Sequence, residues 1–316
     1  PNCESEADLT HVKAKFTVPE QAYEDVRSED FLTRIVEEID EEHVKDHKAK
    51  VATLIAFATG WLKEENKRQS VTFKGESSVG KDHVVNTVKD KLPDEYTIDL
   101  TGPSTAWLRR NGNRPRVIHV SEVNLQRGGA NSANEKIEYI KQTRQGGTDN
   151  PMMVKNEDGR WEGQDFGTEQ KPFLFGSTEI GQDHEISTRE FVVPISYNPE
   201  KGKAESKLKA EHHNDLLART RDEDDHNWVK DAWRLLDPDM KIWNPVHVVV
   251  EKYFEKNEDV WAAFQKKHEM PRVMRDKERI KAFSEAVTWI RQYNRETKTV
   301  NDETFLIGEP EDFLTA

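Results

Sequence analysis

The segment 75–82 constrains the fold more than any other part of the chain. It reads Gly-Glu-Ser-Ser-Val-Gly-Lys-Asp, which contains the GxxxxGK pattern of a loop that surrounds phosphate groups. A short β-rich run, 70–74, precedes the loop, and the run 83–92 that follows it carries valines at helical spacing. Between a strand and a helix, the backbone N–H groups of such a loop and the helix N-terminus point at an anion. The sequence therefore predicts a phosphate-binding site here.

The loop also predicts its ligands, which we expect to be ATP and Mg²⁺. Lys81 would reach the β- and γ-phosphates. The next position usually carries a serine or threonine whose hydroxyl binds Mg²⁺, whereas this chain has Asp82, a carboxylate that can hold the ion directly or through water. The alternatives are a glycine-rich turn before an ordinary helix and a degenerate loop that binds nucleotide poorly. The residues expected to contact the nucleotide are Gly75, Glu76, Ser77, Ser78, Val79, Gly80, Lys81, Asp82 and His83.

Composition excludes several classes of protein. The chain has 316 residues and a formal net charge of −13, so any contact with nucleic acid must be a local basic patch. Cys3 is the only cysteine, which excludes disulfides within the chain and zinc sites built from cysteines, and fits a reducing compartment. No apolar run approaches 18 residues and the N-terminus is acidic and polar. We therefore expect a cytoplasmic protein that does not contact membranes.

Hydrophobic periodicity predicts an α/β core between helical regions. Residues 29–66 and the chain beyond 203 show helical spacing, and strands are expected at 71–74, 97–100, 116–121, 172–176 and 190–196. Strands that alternate with helices indicate a mostly parallel, five-stranded sheet covered on both faces. We predict an extended lead-in over 1–27, a core with N-terminal helices over 28–200, and a helical lid over 201–316 that ends in an acidic tail.

Two predicted strands end in residues that could act on a phosphate. The strand 116–121 leads into Glu122, which would polarise the attacking water as a general base. Ser121 stands where an aspartate is usual, so Asp82, Ser121 and Glu122 are the candidate metal ligands. The strand 172–176 leads into Ser177 and Thr178, which could orient that water or touch the γ-phosphate. The plain alternative is that these residues merely end their strands.

Arg189 precedes the last predicted strand. An arginine at that place can project into the nucleotide of a neighbouring subunit as an arginine finger. A surface ion pair with Glu185 or Glu190 is the simpler interpretation of the isolated residue.

A local basic patch interrupts the acidic chain. Segment 107–144 contains eight arginines and lysines against three glutamates. Asp158-Gly159 predicts a hairpin turn between Met153-Val154 and Trp161, and Lys155 and Arg160 add positive charge beside that tryptophan. Basic groups with an aromatic ring suit single-stranded nucleic acid, although a solvated face would look the same. The basic residues of the segment are Arg109, Arg110, Arg114, Arg116, Arg127, Lys136, Lys141 and Arg144.

The pair His43 and His47 has the spacing of metal ligands on a helix. No third ligand accompanies it, and charged neighbours such as Glu42 and Lys45 indicate an exposed helix face instead. We therefore expect no metal at these histidines.

Taken together, these segments resemble the AAA+-like ATPase module of phage and mobile-element replication proteins, the primase–helicase type. The likeness covers about residues 30–297 and depends on the loop, the strand that ends at Glu122, and the stretches 52–59, 96–102, 141–146, 185–189 and 273–276. It implies a lid arginine at Arg275 and a ring-shaped homo-oligomer that moves DNA. Asp82 and Ser121 depart from the family pattern and affect the expected metal geometry.

Three functions are consistent with these residues. The first is an ATP-hydrolysing DNA translocase or helicase module. The second is a P-loop kinase for a small molecule, with Asp82 near the acceptor hydroxyl. The third is a scaffold that binds nucleotide without hydrolysing it.

Overall fold

The structure is a computed structural model. The structure describes residues 20–315 except 77–78, 101–115, 121–138, 144–150, 156–159, 166–168, 178–190, 197, 215–227, 237–240 and 244–269. The helices are α1 (Glu20–Val26), α2 (Phe31–Asp40), α3 (His47–Thr59), α4 (Lys81–Asp90), α5 (Pro199–Asn214), α6 (Trp228–Leu235), α7 (Met270–Ile290) and α8 (Pro310–Thr315). The strands are β1 (Val71–Lys74), β2 (Thr97–Asp99), β3 (Val117–Val120), β4 (Pro151–Lys155), β5 (Trp161–Asp165), β6 (Phe173–Ser177), β7 (Phe191–Pro194), β8 (Lys241–Trp243), β9 (Thr297–Val300) and β10 (Glu303–Ile307).

Five parallel strands form the central sheet, in the order β2-β3-β6-β1-β7. The predicted α/β class with a five-stranded parallel sheet flanked by helices is confirmed, and all five predicted strands are present within two residues of their expected ends. In this order β6 lies between β1 and β3. The carboxyl ends of β1 and β3 are therefore two strand spacings apart, roughly 10 Å.

Alternating side chains bury both faces of the sheet. Ile118 and Val120 of β3 pack with Phe173 and Phe175 of β6 against Tyr139, which belongs to a helical segment over 139–143. The opposite face of the sheet packs into a second, larger hydrophobic core, which lies beneath α3 and α4. Its residues in the sheet include Val71, Phe73, Val117 and Leu174. Because β-strand side chains point to opposite faces in turn, a strand covered on both sides carries apolar residues on both faces, as Val117, Ile118 and Val120 of β3 show.

The helices of the larger core come from both ends of the chain. α3 packs on α4, α7 and β1, and α6 packs on α1. Trp61, Trp233 and Trp289 meet there with ring centroids 5.4 to 5.5 Å apart, all of them at most 3 % exposed. The C-terminal helices are thus part of the core that supports the sheet.

The structure differs from the sequence prediction at both ends. Residues 20–26, expected to be extended, form α1 and bury Ala22 and Val26. The expected acidic tail, from about Asn301, instead contributes β10 to a three-stranded sheet with β8 and β9, and it ends in α8. Asn301 and Asp302, which join β9 to β10, both have positive φ, the backbone that a tight two-residue hairpin requires. The expected boundary at residue 200 falls inside α5.

The predicted hairpin is confirmed. β4 and β5 pair antiparallel, with Lys155 opposite Trp161. Trp161 is 63 % exposed and Met153 is 58 % exposed. Within the described part of the chain, no helix is both long and apolar enough to cross a membrane.

A charged network joins β2, β3 and α4 below the carboxyl edge of the sheet. Nδ1 of His119 lies 2.6 Å from Oδ1 of Asp99, and Lys89 donates to Oδ2 of Asp99 at 2.9 Å. Hydrogen bonding to His119 and then to Lys89 lowers the pKa of Asp99 to about 2. The network therefore connects β3 to β2 and to α4 near the carboxyl ends of the two strands.

We predict that Asp99→Asn lowers the free energy of unfolding by about 1 kcal/mol at pH 7, a limited loss because the Asp99 side chain is 44 % exposed. Since the folded-state pKa lies below the ordinary 3.8, this stabilisation is complete above about pH 5 and is lost as the pH falls towards 2. Urea unfolding from pH 7 to pH 3 measures it, with the exposed-carboxylate variant Glu296→Gln as control. A difference from wild type that disappears between pH 7 and pH 5 would contradict this account.

Candidate phosphate-binding site

The glycine-rich loop connects β1 to α4 at the carboxyl edge of the sheet. It packs tightly against the chain that leaves β7, since a Cβ on Gly75 would lie 2.2 Å from the carbonyl oxygen of Ile195. Only glycine fits at this position without moving backbone. The tight contact fixes the first residue of the loop relative to the sheet.

The second glycine of the motif has a different constraint. Gly80 has φ +89°, a left-handed conformation that glycine adopts at no steric cost, and its carbonyl accepts the first helical hydrogen bond of α4, from Val84 N–H at 3.0 Å. The loop therefore turns sharply into the helix. This places the N-terminus of α4 next to the loop, as anion binding requires.

Lys81 closes the loop on itself. Its ammonium group donates to the carbonyl oxygens of Gly75 and Glu76, each at 2.8 Å, and the residue is only 5 % exposed. A buried ammonium group needs such acceptors, because burial without hydrogen bonds is costly. Phosphate oxygens are stronger acceptors for an ammonium group than neutral carbonyls, so the same lysine can exchange one set for the other.

Asp82 lies over β6. A Cβ on Gly176 would lie 2.4 Å from Oδ1 of Asp82, so this glycine makes room for the carboxylate. Oδ1 is buried and has no hydrogen-bond partner among the described residues. An anionic oxygen in that state suits a cation such as Mg²⁺. No group of three His, Cys, Asp or Glu that could hold a metal is found among the described residues.

A buried charge cluster supports the outer side of the loop, and sequence reasoning missed it. Lys201, in the first turn of α5, donates to the carbonyl oxygen of Val79 at 3.1 Å and forms an ion pair with Asp46. Asp46 also accepts a hydrogen bond from Nε2 of His43 at 2.9 Å. The three groups join α5, the turn before α3 and the glycine-rich loop.

His43 corrects the earlier interpretation of the histidine pair. It is fully buried rather than on an exposed helix face, because the chain turns at Lys45 and Asp46 before α3 begins at His47. Its ring packs edge-on against His83 with centroids 4.9 Å apart. Burial and then the neighbouring His43 lower the pKa of His83, which keeps that imidazole neutral at pH 7. His47 is exposed, as expected.

The remaining predicted site residues divide into two groups. Ser177 ends β6, where its backbone lies opposite Lys74, the last residue of β1 before the loop. Arg275 lies in α7, and its role in a lid stays a prediction. Ser77, Ser78, Ser121, Glu122, Thr178 and Arg189 lie outside the described residues, as does most of the basic segment 107–144.

The fold and the loop define an α/β protein with a glycine-rich loop at the carboxyl edge of a parallel sheet. Comparison of the chain with protein-family models and with curated proteins gives no match.

We predict that Gly176→Ala lowers the free energy of unfolding by about 1–3 kcal/mol, because the new methyl group collides with Asp82. Thermal and urea unfolding measure it. Gly163→Ala is a matched control, since a Cβ at Gly163 in β5 meets nothing within 4 Å. Adding Asp82→Ser shortens the side chain and should restore most of the loss. Equal stability of the two alanine variants would show that Asp82 does not occupy this place.

Proposed function

We propose that this chain is a P-loop ATPase whose hydrolysis moves single-stranded DNA, within a ring of identical subunits. The observation that carries the proposal is the arrangement of Lys81. Its ammonium group spans the loop from the start of a helix and is held by two loop carbonyls that phosphate oxygens can replace. The left-handed Gly80 and the close contact of Gly75 with Ile195 give that loop its shape.

The order of the strands supports a hydrolytic site. Because β6 separates β1 from β3, a residue that follows β3 would stand roughly 10 Å from the loop strand, with room between them for a phosphate and a water molecule. Glu122 is the proposed general base at that position. Ser177, the last residue of the intervening strand, and Thr178 after it are proposed to orient the water.

Asp82 is the residue of the described site that would hold Mg²⁺. Its orphaned buried oxygen fits a divalent cation, and Ser121 and Glu122 are proposed to complete the set of ligands. When bound, the ion neutralises negative charge on the β- and γ-phosphates. A carboxylate in place of the usual hydroxyl adds negative charge near the triphosphate. We therefore expect the affinity for nucleotide to fall strongly when Mg²⁺ is removed.

The exposed hairpin β4–β5 is the proposed contact for DNA. Trp161 offers a ring on which a base can stack, and Lys155 lies opposite it in the ladder. The net charge of −13 makes broad nucleic-acid binding unfavourable, so contact is confined to this hairpin and the basic segment 107–144. Arg189 and Arg275 are proposed to contact nucleotide phosphates, Arg189 from a neighbouring subunit.

We predict ATP hydrolysis that is stimulated by single-stranded DNA. Lys81→Ala should abolish measurable nucleotide binding, because it removes the charge that faces the phosphates. Glu122→Gln should keep ATP binding and lower kcat at least about 100-fold, the usual scale for a lost general base. Phosphate release and equilibrium nucleotide binding measure both. Lys203→Ala, an exposed lysine on α5, controls for general loss of charge.

The same assays separate the competing functions. Tight ATP binding without turnover would favour a nucleotide-bound scaffold. Transfer of phosphate to a small molecule by a monomer that ignores DNA would favour a kinase. Unchanged hydrolysis in both Lys81→Ala and Glu122→Gln would show that the assigned roles are wrong.

We also predict that Trp161→Ala weakens binding of single-stranded DNA about 5- to 100-fold, the loss expected for one stacked base, with little change in basal ATP hydrolysis. Fluorescence anisotropy with a labelled oligonucleotide measures this. Trp243→Ala is a matched control, because Trp243 is a similarly exposed tryptophan, at 57 %, on β8. Equal losses in the two variants would contradict a DNA-binding role of the hairpin.

A further inference from the structure

Lys201 makes the one described contact from α5 to the carbonyl groups of the phosphate loop. It is 6 % exposed, and its Nζ lies 3.1 Å from the oxygen of Val79. The ion pair with Asp46 holds the ammonium group from the other side. Asp46 is itself fixed by the fully buried His43. The contact is therefore made by groups that have little freedom to move.

The peptide group between Val79 and Gly80 is what this contact orients. A peptide group is planar and, in the described residues, always trans, so the C=O of Val79 and the N–H of Gly80 point in opposite directions. Lys201 holds the carbonyl oxygen on the side of Asp46 and His43. The N–H of Gly80 is consequently directed to the opposite side, which is the side expected to hold phosphate.

Gly80 makes such a restraint necessary. Glycine adopts left-handed and right-handed backbone conformations about equally well, so the peptide before it can rotate at small cost. Rotation would turn the Val79 carbonyl oxygen towards the phosphate, where two negative atoms would repel each other. A Cβ at Gly80 would lie 3.2 Å from Nζ of Lys201, which shows how closely the lysine covers this peptide from outside.

We propose that Lys201 is a positioning residue that fixes the Val79–Gly80 peptide with its N–H directed at bound polyphosphate. This inference rests on the proposed nucleotide site and goes beyond it, because Lys201 acts through the loop backbone and does not touch the nucleotide. Asp46 holds the ammonium group of Lys201 in place, and His43 holds Asp46. Burial raises the pKa of Asp46, but hydrogen bonds from His43 and Lys201 outweigh that effect and lower it, so the carboxylate stays charged.

The test compares four variants with the wild type. Lys201→Met keeps the length and apolar stem of the side chain but removes the ammonium group, and Lys201→Arg restores a charged donor. Asp46→Asn loosens the lysine at nearly constant size. Lys203→Met is the matched control, an exposed lysine two positions along the same helix. All are measured at a temperature where circular dichroism shows them folded.

The readout is displacement of a fluorescent ATP analogue by inorganic tripolyphosphate and by ATP, both in the presence of Mg²⁺. We expect Lys201→Met to bind both competitors about tenfold more weakly, the effect of one lost charge-assisted hydrogen bond. Lys201→Arg should recover part of the loss, and Asp46→Asn should show a smaller one. A purely structural role would lower the melting temperature and leave the affinity of the folded protein unchanged.

Affinities of Lys201→Met within twofold of the wild type would overturn the positioning role. If Lys201→Met does not fold, Asp46→Asn decides the matter by the same criterion. A wild type that binds neither tripolyphosphate nor ATP would overturn the proposed nucleotide site, and the positioning role with it. Binding by the wild type that only Lys81→Ala abolishes would keep the site and remove the role of Lys201.

Discussion

The buried ammonium group of Lys81, held by the carbonyl oxygens of Gly75 and Glu76, is the interaction on which the rest of the site depends. A charge that is 5 % exposed is stable only while acceptors surround it. Those acceptors belong to the loop that the lysine follows, so the loop must curve back over the helix N-terminus. The geometry of the two glycines, one pressed against Ile195 and one left-handed, makes that curvature possible.

The surrounding fold restrains this loop from three directions. β1 and β7 fix its beginning, through the ladder from Val71 to Lys74 and the close approach of Ile195 to Gly75. β6 supports Asp82, where Gly176 leaves space for the carboxylate. Lys201 and Asp46 hold the peptide before Gly80 from outside. A loop restrained in this way can present N–H groups to an anion without paying for their ordering when the anion binds.

The sequence predicted the parts of the structure that local patterns encode. The loop, the strand before it and α4 follow from glycine spacing and valine periodicity, and the five core strands follow from short apolar runs. The β9–β10 hairpin could have been predicted in the same way, because β-branched residues lie on both sides of Asn301-Asp302. The acidic residues of this segment led instead to the prediction of a tail.

Other parts of the site depend on contacts that no local pattern reveals. Lys201 and Val79 are 122 positions apart, and nothing in the lysine-rich sequence of α5 distinguishes this lysine from its neighbours. His43 was misjudged because its four-residue spacing from His47 suggested one helix, whereas the left-handed Asp46 separates them. The place of Asp82 over Gly176 likewise follows from tertiary packing, although the sequence identified both the residue and its unusual chemistry.

The most direct test of the account is a crystal structure of the protein with Mg²⁺ and a non-hydrolysable ATP analogue. The account predicts that Nζ of Lys81 leaves the oxygens of Gly75 and Glu76 and binds phosphate oxygens, while the loop N–H groups, including that of Gly80, lie within hydrogen-bond distance of the phosphates. An analogue bound elsewhere, with Lys81 still donating to both carbonyls, would contradict it.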